Sequence, residues 1–216
     1  MTVNTGGHTA QPVLTFHMDI GDRRLRFFDF MSYKLEHEVA AYITDFGRGD
    51  FNACGFGLIT LRNGNQHNPK YKKVYAEKLL FMRDTMMAPM HFHWFKSEDI
   101  INRGGGVLQI KIYQDDGAGG LSDEDVVINA DGRSYMAPAG TFVTLHPGES
   151  VTLWPHQYHE FHAVPGTGSV LIGEVSQCND DNTDNRFYEP AGRFPEIEED
   201  EEPYRLLCNE YPPAAD

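Results

Sequence analysis

Short apolar runs rich in β-branched residues recur from about residue 50 onward, and turn-forming residues separate them. No run is longer than seven residues, which is typical of strands and too short for most helices. The separators contain Asn-Gly, Asp-Gly and Pro-Gly pairs, which favour tight turns between neighbouring strands. This rhythm predicts an antiparallel β sandwich or barrel, with strands over residues 56–61, 107–113, 126–128, 141–145, 150–153 and 169–175.

The pattern is weaker before residue 50, where the segment from Met31 to Ile43 predicts a short helix that packs on the barrel. A length of 216 residues lies within the range that a single β-barrel domain reaches. No repeat of the kind that builds solenoids or propellers is visible. We therefore predict one all-β domain over residues 1–216, with an N-terminal extension that contains the helix.

The charge of the chain argues against two classes of partner. A formal net charge of −14 repels phosphate backbones and anionic lipid, so we expect neither a nucleic acid nor a membrane as partner. No apolar run approaches the roughly 18 residues of a membrane span, and the first residues lack a signal-peptide pattern, so we expect a cytoplasmic protein. The cysteines Cys54, Cys178 and Cys208 form no Cys-x-x-Cys pair, which favours free thiols.

Two histidines and a glutamate follow one another at a spacing that suits a transition metal. His91 and His93 share one face of a strand, since alternate side chains of a strand point the same way. Glu98 lies close enough along the chain to bring a carboxylate oxygen to the same ion. A fourth ligand comes from a later strand, and His159 is the best candidate because it follows a turn at the start of an apolar run.

Three other histidines compete with His159 for the fourth position. His162 falls on the opposite face of a continuous strand, His146 precedes a Pro-Gly turn, and His156 directly follows a proline. Each of them is more simply a structural or surface residue. Three imidazoles and one carboxylate would leave two positions of an octahedral ion open, enough to chelate a carbonyl oxygen and the hydroxyl beside it.

These residues carry a family resemblance. His-x-His-x4-Glu, followed by glycine and by a later Pro-x-x-x-His, is the two-part metal signature of the cupins. Longer strings resemble the cupin-type D-lyxose ketol-isomerases of bacteria, and the likeness runs from about residue 42 to residue 211. Two residues depart from the general cupin signature, because Thr85 and His156 stand where it has glycine. The strings that carry the likeness are residues 44–51, 75–78, 89–94, 98–106 and 207–211.

The resemblance implies a cupin barrel or jelly roll over residues 42–211, preceded by an extension over residues 1–41. It implies a manganese-dependent aldose–ketose isomerase that interconverts D-lyxose with D-xylulose, and also D-mannose with D-fructose, by proton transfer through an enediol. Other divalent ions such as Co²⁺ would suit the same ligands. We also expect a homodimer, because barrel edges often pair between subunits.

Such a reaction needs a base that takes a proton from one carbon and returns it to the next. Glu174 is the first candidate, because it shares a strand face with Ile172 close to the ligands, although a structural carboxylate that orients a ligand histidine is the alternative. Asp181 is the second candidate, for the base and for substrate binding. Lys96 lies between two ligands and could contact the sugar oxygens, unless it is a surface lysine.

Two more residues are predicted to bind substrate. Trp94 could stack on the apolar face of a sugar, with plain core packing as the alternative, and Arg186 could bind a distal hydroxyl. Two other classes of function remain open for the same ligand set. One is a cupin dioxygenase that uses iron or copper, and the other is a non-catalytic sugar-binding cupin. The charged candidates Lys96 and Glu174 favour the isomerase, because proton transfer on a polyhydroxylated substrate needs polar walls.

Overall fold

The structure is a computed structural model, and every regular element in the part of the chain that it describes is a β-strand. It describes residues 41–65, 70, 72–180 and 183–191, and the strands alone of residues 13–20 and 23–30. The strands are β1 Val13–Ile20, β2 Arg23–Phe30, β3 Ala41–Thr44, β4 Phe56–Arg62, β5 Tyr75–Met82, β6 Met87–His93, β7 Glu98–Gly105, β8 Leu108–Gln114, β9 Val126–Ala130, β10 Arg133–Ala137, β11 Thr141–Leu145, β12 Ser150–Leu153, β13 Gln157–Ala163, β14 Val170–Gln177 and β15 Asn185–Phe187.

Two antiparallel sheets form the body of the fold. The larger sheet has the strand order β10-β9-β12-β7-β14-β5-β4-β3, the smaller one has the order β11-β8-β13-β6-β15, and β1 and β2 form a separate hairpin. The predicted all-β class is therefore confirmed. Within the described part of the chain, the structure contains no helix with the length and apolarity of a membrane span. The homodimer stays a prediction.

The core lies between the inner faces of the two sheets, as the alternation along β8 illustrates. Leu108, Ile110 and Ile112 are buried there, while the residues between them are partly exposed. From the larger sheet, Ile100 and Ile172 are also fully buried. Burial of a Leu or Ile side chain contributes about 1.5–3 kcal/mol, so this apolar contact between the sheets is the main stabilising term.

A β-bulge in β6 determines which way the first two histidines point. Opposite β13, His91 pairs with His159, but Ala88 pairs with Phe161, so β6 carries one residue more than its partner between these pairs. The extra residue lies in the segment around Pro89, where a strand tolerates proline. Because the bulge shifts the alternation by one, Ala88 and His91 both face the core.

The predicted strands are confirmed, with small shifts of their ends, and the additions include β1, β2, β3, β5, β10 and β15. The sequence of β5 did not indicate a strand, because its Glu-Lys-Leu-Leu stretch also suits a helix. The predicted helix over Met31–Ile43 is wrong at its end, where residues 41–43 begin β3 and pair with β4. Pairing at a sheet edge overrides the local preference there. Residues 31–40 lie outside the described residues.

The two departures from the cupin signature have a backbone consequence. Thr85 has φ 76° and His156 has φ 64°, so both adopt the left-handed conformation that glycine adopts without strain. Thr85 lies in the exposed turn between β5 and β6. A β-branched residue is strained in this conformation, by about 1–2 kcal/mol.

Thr85→Gly is expected to raise the free energy of unfolding by about 0.5–1 kcal/mol. The relief of backbone strain exceeds the larger loss of chain entropy that glycine suffers on folding. Urea unfolding at an unchanged m-value measures the difference. Thr144→Gly, on the exposed side of β11, is the matched control and should lower the stability. A stability loss in Thr85→Gly would contradict the strain argument.

Candidate active site

Three imidazoles meet on the inner face of the smaller sheet. His91 and His93 come from β6 and His159 from β13, and the ligand-capable atoms of the three rings lie within 4.8 Å of one another. The Nε2 atoms of His91 and His159 are 3.1 Å apart. His93 and His159 are buried and His91 is half-buried. The sequence prediction that these three residues converge is therefore consistent with the geometry.

The other nitrogen of each ring fixes the tautomer. The Nδ1 atoms of His91, His93 and His159 lie 2.8, 3.0 and 2.9 Å from the backbone carbonyl oxygens of Pro89, Asp184 and Gln157. A carbonyl only accepts, so each Nδ1 carries the proton and donates it. Each Nε2 of a neutral ring then presents a lone pair toward the centre of the cluster, as a metal ligand must.

Glu98 reaches the same place from the opposite sheet. Glu98 begins β7, and its Oε1 lies 3.2 Å from His159 Nε2, while its Oε2 lies 3.4 Å from His93 Nε2. His93 Nε2 and Glu98 Oε2 are buried and have no hydrogen-bond partner among the described residues. Glu98 Oε2 does lie 2.8 Å from the ammonium of Lys96, but without hydrogen-bond geometry.

Protonation of the histidines or of Glu98 does not relieve the close contacts between their lone pairs. Burial and the neighbouring His159 hold the pKa of His91 well below its usual range, and burial and the Lys96 ammonium lower the pKa of His93. Burial alone would raise the pKa of Glu98, but Lys96 and His93 hold it well below the usual carboxyl range. The neutral imidazoles of His91 and His93 and the ionised carboxylate of Glu98 therefore direct lone pairs into the same cluster.

This donor set fits a divalent transition metal ion. A first-row ion with bonds of about 2.1 Å places neighbouring donors about 3 Å apart. His159 Nε2 lies 3.1 Å from His91 Nε2 and 3.2 Å from Glu98 Oε1, and His93 Nε2 lies 3.4 Å from Glu98 Oε2. A cation at the centre would also satisfy the two orphaned buried atoms. His91, His93 and His159 are thus the described residues that could together hold a metal. Glu98 lies beside two of them and stays a predicted fourth ligand.

A second charged cluster adjoins the ligands on the inner face of the larger sheet. Lys96 Nζ lies 2.9 Å from Glu174 Oε1, and Lys78 Nζ lies 3.0 Å from the same oxygen. Both ammoniums also donate to the side-chain oxygen of Asn179. All four side chains are buried. Lys96 therefore bridges the ligand Glu98 and the predicted base Glu174.

Contacts between the charged groups of this cluster determine their protonation states. Burial alone would lower the pKa of Lys96, but Glu174 and Glu98 raise it far above its usual value. Burial alone would raise the pKa of Glu174, but Lys78 and Lys96 lower it. Lys96 is therefore an ammonium and Glu174 a carboxylate throughout the physiological pH range. Lys96 is a buried residue here, not the surface lysine that was its alternative.

Three members of the site were not predicted from the sequence. Lys78 pairs with Glu174 because their strands, β5 and β14, are neighbours in register. Asn179 follows β14 and accepts from both lysines. Asp184 accepts the backbone N–H of Phe95 and Lys96 through its carboxylate, and its carbonyl holds His93. Of these three, only Asp184 could have been suspected from the sequence, because it lies three residues after the predicted Asp181 in the Asp-rich segment 180–184.

The structure places Trp94 and Arg186 on the other side of the smaller sheet from the three histidines, so their role in substrate binding stays a prediction. Trp94 alternates with His93 along the chain and packs on Phe92, which is on the outer face of the smaller sheet. Arg186 pairs with Phe92 across β15 and β6, so it also lies on the outer face. Asp181 lies outside the described residues.

Comparison with known proteins agrees with this geometry. The profile described as D-lyxose isomerase matches residues 34–211. The chain belongs to the D-lyxose isomerase family. Two proteins named D-lyxose/D-mannose isomerase, from Serratia proteamaculans and Escherichia coli O157:H7, are each 48% identical to it over 169 residues, which are 78% of this chain and 74% of each relative. The chain is therefore an aldose–ketose isomerase.

Two solved structures with a similar fold are those of L-ribose isomerases. The L-ribose isomerase of Cellulomonas parahominis with L-ribose is 16% identical, with 74% of this chain and 85% of that chain covered and a TM-score of 0.52. A variant of the L-ribose isomerase of Acinetobacter sp. DL28 in complex with L-ribose is 15% identical, with coverages of 72% and 82% and a TM-score of 0.50. At these identities the likeness concerns the fold, and it supports the cupin barrel.

His159→Ala is expected to weaken binding of a divalent metal ion by at least about a hundredfold, because the cluster loses one of its four donors. Titration calorimetry with Mn²⁺ measures the affinity directly, and the metal-dependent rise in melting temperature gives a second readout. His162→Ala is the matched control, since His162 lies on the opposite face of β13 and contacts Glu160. Equal losses in both variants would contradict the assignment.

Proposed function

We propose that this isomerase uses a divalent metal ion, Mn²⁺ being the first candidate and Co²⁺ the second, to interconvert D-lyxose with D-xylulose and D-mannose with D-fructose. The observation that carries the proposal is the position of the ionised Glu174 and the Lys96 ammonium directly beside the four-donor cluster. The names of the two relatives support the sugars.

The four donors would hold the ion, and their fit rests on the unpaired lone pairs described above. A bound divalent ion supplies Lewis-acid chemistry, because it polarises a carbonyl and stabilises negative charge on oxygen. Glu98 cannot serve as the base while it is a ligand. The proton chemistry therefore falls to the neighbouring residues of the larger sheet.

Glu174 is the proposed general base that removes the proton from C2 of the aldose and returns it to C1. Its Oε1 accepts from two ammoniums, and its Oε2 has no hydrogen-bond partner among the described residues. Oε2 is therefore the atom that is available to receive a proton. The ammoniums lower the basicity of Glu174, so the transfer depends on the acidity of C2 in the bound sugar.

Lys96 is proposed to bind the sugar oxygens and to stabilise the charge that develops on them during proton transfer. It is buried, fully charged and next to a ligand, where a fixed ammonium acts in a region of low dielectric. Asp184 fixes the backbone of this lysine through two hydrogen bonds of 2.8 and 3.1 Å to Phe95 N and Lys96 N. The ammonium is thus positioned before the substrate arrives.

A proton NMR time course in D₂O tests the proposal. We expect chelator-stripped protein to be inactive and added Mn²⁺ to restore conversion of D-lyxose to D-xylulose, with deuterium incorporated at the carbon that accepts the proton. The same assay applies to D-mannose and D-fructose. If no ketose forms from either aldose with any divalent ion, the proposed function is overturned. Ketose without deuterium would contradict proton transfer by a base that exchanges its proton with solvent.

Glu174→Gln identifies the base within this assay. The variant should retain bound Mn²⁺ and lose about 10²- to 10⁴-fold in kcat, the usual contribution of a general base. Glu160→Gln is the matched control, because Glu160 alternates with His159 on β13 and faces away from the cluster. Full activity in Glu174→Gln would move the base to Asp181.

Lys78→Met is expected to move the acid limb of the pH–rate profile to higher pH. Of the neighbours that lower the pKa of Glu174, Lys78 has the largest effect. Its removal therefore raises that pKa and leaves less ionised base at a given acidic pH. Lys78→Arg keeps the charge and should keep the limb in place.

Bound metal must be measured across the same pH range, because protonation of the ligand histidines also lowers the rate on the acid side. A limb that stays in place in Lys78→Met, with metal retained, would show that Glu174 does not determine it.

A further inference from the structure

A cleft of about 440 Å³ lies on the outer face of the smaller sheet, opposite the metal cluster. We call it the outer pocket. Phe92 and Tyr158 alternate with the ligand histidines along β6 and β13 and support the residues that line the cleft. Phe92 packs against Trp94 and His156, and the Tyr158 hydroxyl donates to the carbonyl of Gly119. The residues that line it are Trp94, Gln114, Asp115, Gly117, Ala118, Gly119, His156 and Arg186.

The outer pocket contains a buried acceptor without a donor. The Asp115 side chain is 9% exposed, and its Oδ1 has no hydrogen-bond partner among the described residues, while its Oδ2 lies 3.2 Å from His156 Nδ1. A buried carboxylate oxygen that is left unpaired is unfavourable, so such atoms are normally paired by protein, water or ligand. Asp115 therefore calls for a group that donates a hydrogen bond.

His156 contributes its side chain to this pocket in spite of backbone strain. It has φ 64° at the position where the cupin signature has glycine. Its ring stacks on Phe92 with a centroid distance of 5.1 Å and contacts Asp115, and its carbonyl accepts from Asp115 N and Gln114 Nε2. Strained residues that persist in place of glycine are concentrated at functional sites, because their side chains do something that glycine cannot.

Arg186 forms the opposite wall and is held rigidly. Its Nε donates to the Tyr158 hydroxyl at 3.1 Å and its Nη2 to the carbonyl of Gly119 at 3.1 Å, while its guanidinium lies 5.9 Å from the centre of the Trp94 ring. A Cβ at Gly119 would stand 1.9 Å from Nη2, so the loop approaches Arg186 as closely as only glycine allows. These contacts order the pocket wall without filling the cleft.

We propose that the outer pocket is a second ligand site, which binds a neutral polyhydroxylated molecule of the monosaccharide class. A hydroxyl can donate to the Asp115 carboxylate, which lines the cleft and has one oxygen without a partner among the described residues, and the fixed Arg186 disfavours a cationic donor. The carboxylate disfavours an anion that would otherwise suit Arg186 and His156. The Trp94 ring offers a flat apolar surface for the C–H face of a sugar ring.

This site is separate from the metal cluster, because the smaller sheet lies between them.

A pyranoside with a blocked anomeric carbon tests binding at the outer pocket, since such a ring cannot open and so cannot be isomerised. The chain has two tryptophans, Trp94 and Trp154, so Trp154→Phe makes Trp94 the single reporter in the full-length metal-loaded enzyme. We expect methyl α-D-mannopyranoside to change the Trp94 emission in a saturable way.

In the Trp154→Phe background, adding Asp115→Asn should weaken the response at least tenfold, because the amide replaces a carboxylate acceptor. Asp123→Asn is the matched control, with the same loss of charge at an exposed position outside the pocket lining, and should leave the response in place. Adding His159→Ala should also leave it in place. No saturable change, a response that survives Asp115→Asn, or one that His159→Ala abolishes would overturn the second site.

A measurement on the unsubstituted enzyme covers the case in which Asp115→Asn fails to fold. Saturation transfer from aromatic protons to the pyranoside should be strongest at the C–H protons of one sugar face, as stacking on Trp94 requires. The transfer should fall at least severalfold in Trp94→Leu. Transfer that is uniform over the ring, or unchanged in Trp94→Leu, would contradict binding at the outer pocket.

Discussion

The burial of four lone-pair donors face to face inside an apolar barrel is the constraint on which the rest of this structure depends. An unpaired buried acceptor costs about 1–3 kcal/mol, and more when it is charged. The histidines of the cluster cannot rotate away from this arrangement, because their Nδ1 protons are committed to backbone carbonyls. The fold therefore keeps the cluster ready for a cation, and the free energy of binding that cation offsets the cost of assembling the donors.

The two sheets contribute different kinds of side chain to the site. The smaller sheet supplies the imidazoles, and four charged side chains lie on the larger sheet or next to it: Glu98, Glu174, Lys78 and Lys96. Two anions alternate with two cations there, so each buried charge has an opposite neighbour. Loss of one partner from such a pair costs about 3–5 kcal/mol, because the other charge remains buried. A site of this kind is held together by the same contacts that set its protonation states.

Local sequence patterns were enough to predict that His91, His93 and His159 converge, but not the residues around them. His91, His93 and Glu98 are close along the chain, so strand alternation relates them, and His159 follows a recognisable turn. Lys78 and Asn179 come near Glu174 only through strand register and a turn after β14, which no short window of sequence contains. Trp94 was predicted to bind substrate as an aromatic wall and Arg186 through a distal hydroxyl, but both lie on the outer face of the smaller sheet. Along a strand the immediate neighbour of an inward side chain points outward, so a position next to a ligand in sequence does not by itself indicate the same face.

Strand β6 therefore carries two kinds of chemistry, one on each side of the smaller sheet. His91 and His93 face the metal cluster, while Phe92 supports the outer pocket, and the backbone N–H of His156 donates to the carbonyl of His93 at 2.9 Å. A glycine in place of His156 would relieve the left-handed backbone, but it would remove the ring that packs on Phe92 and contacts Asp115. The barrel core alone does not account for a histidine at this position, since its side chain contributes nothing to the inner face. The strain at His156 is thus balanced by interactions of the outer face alone.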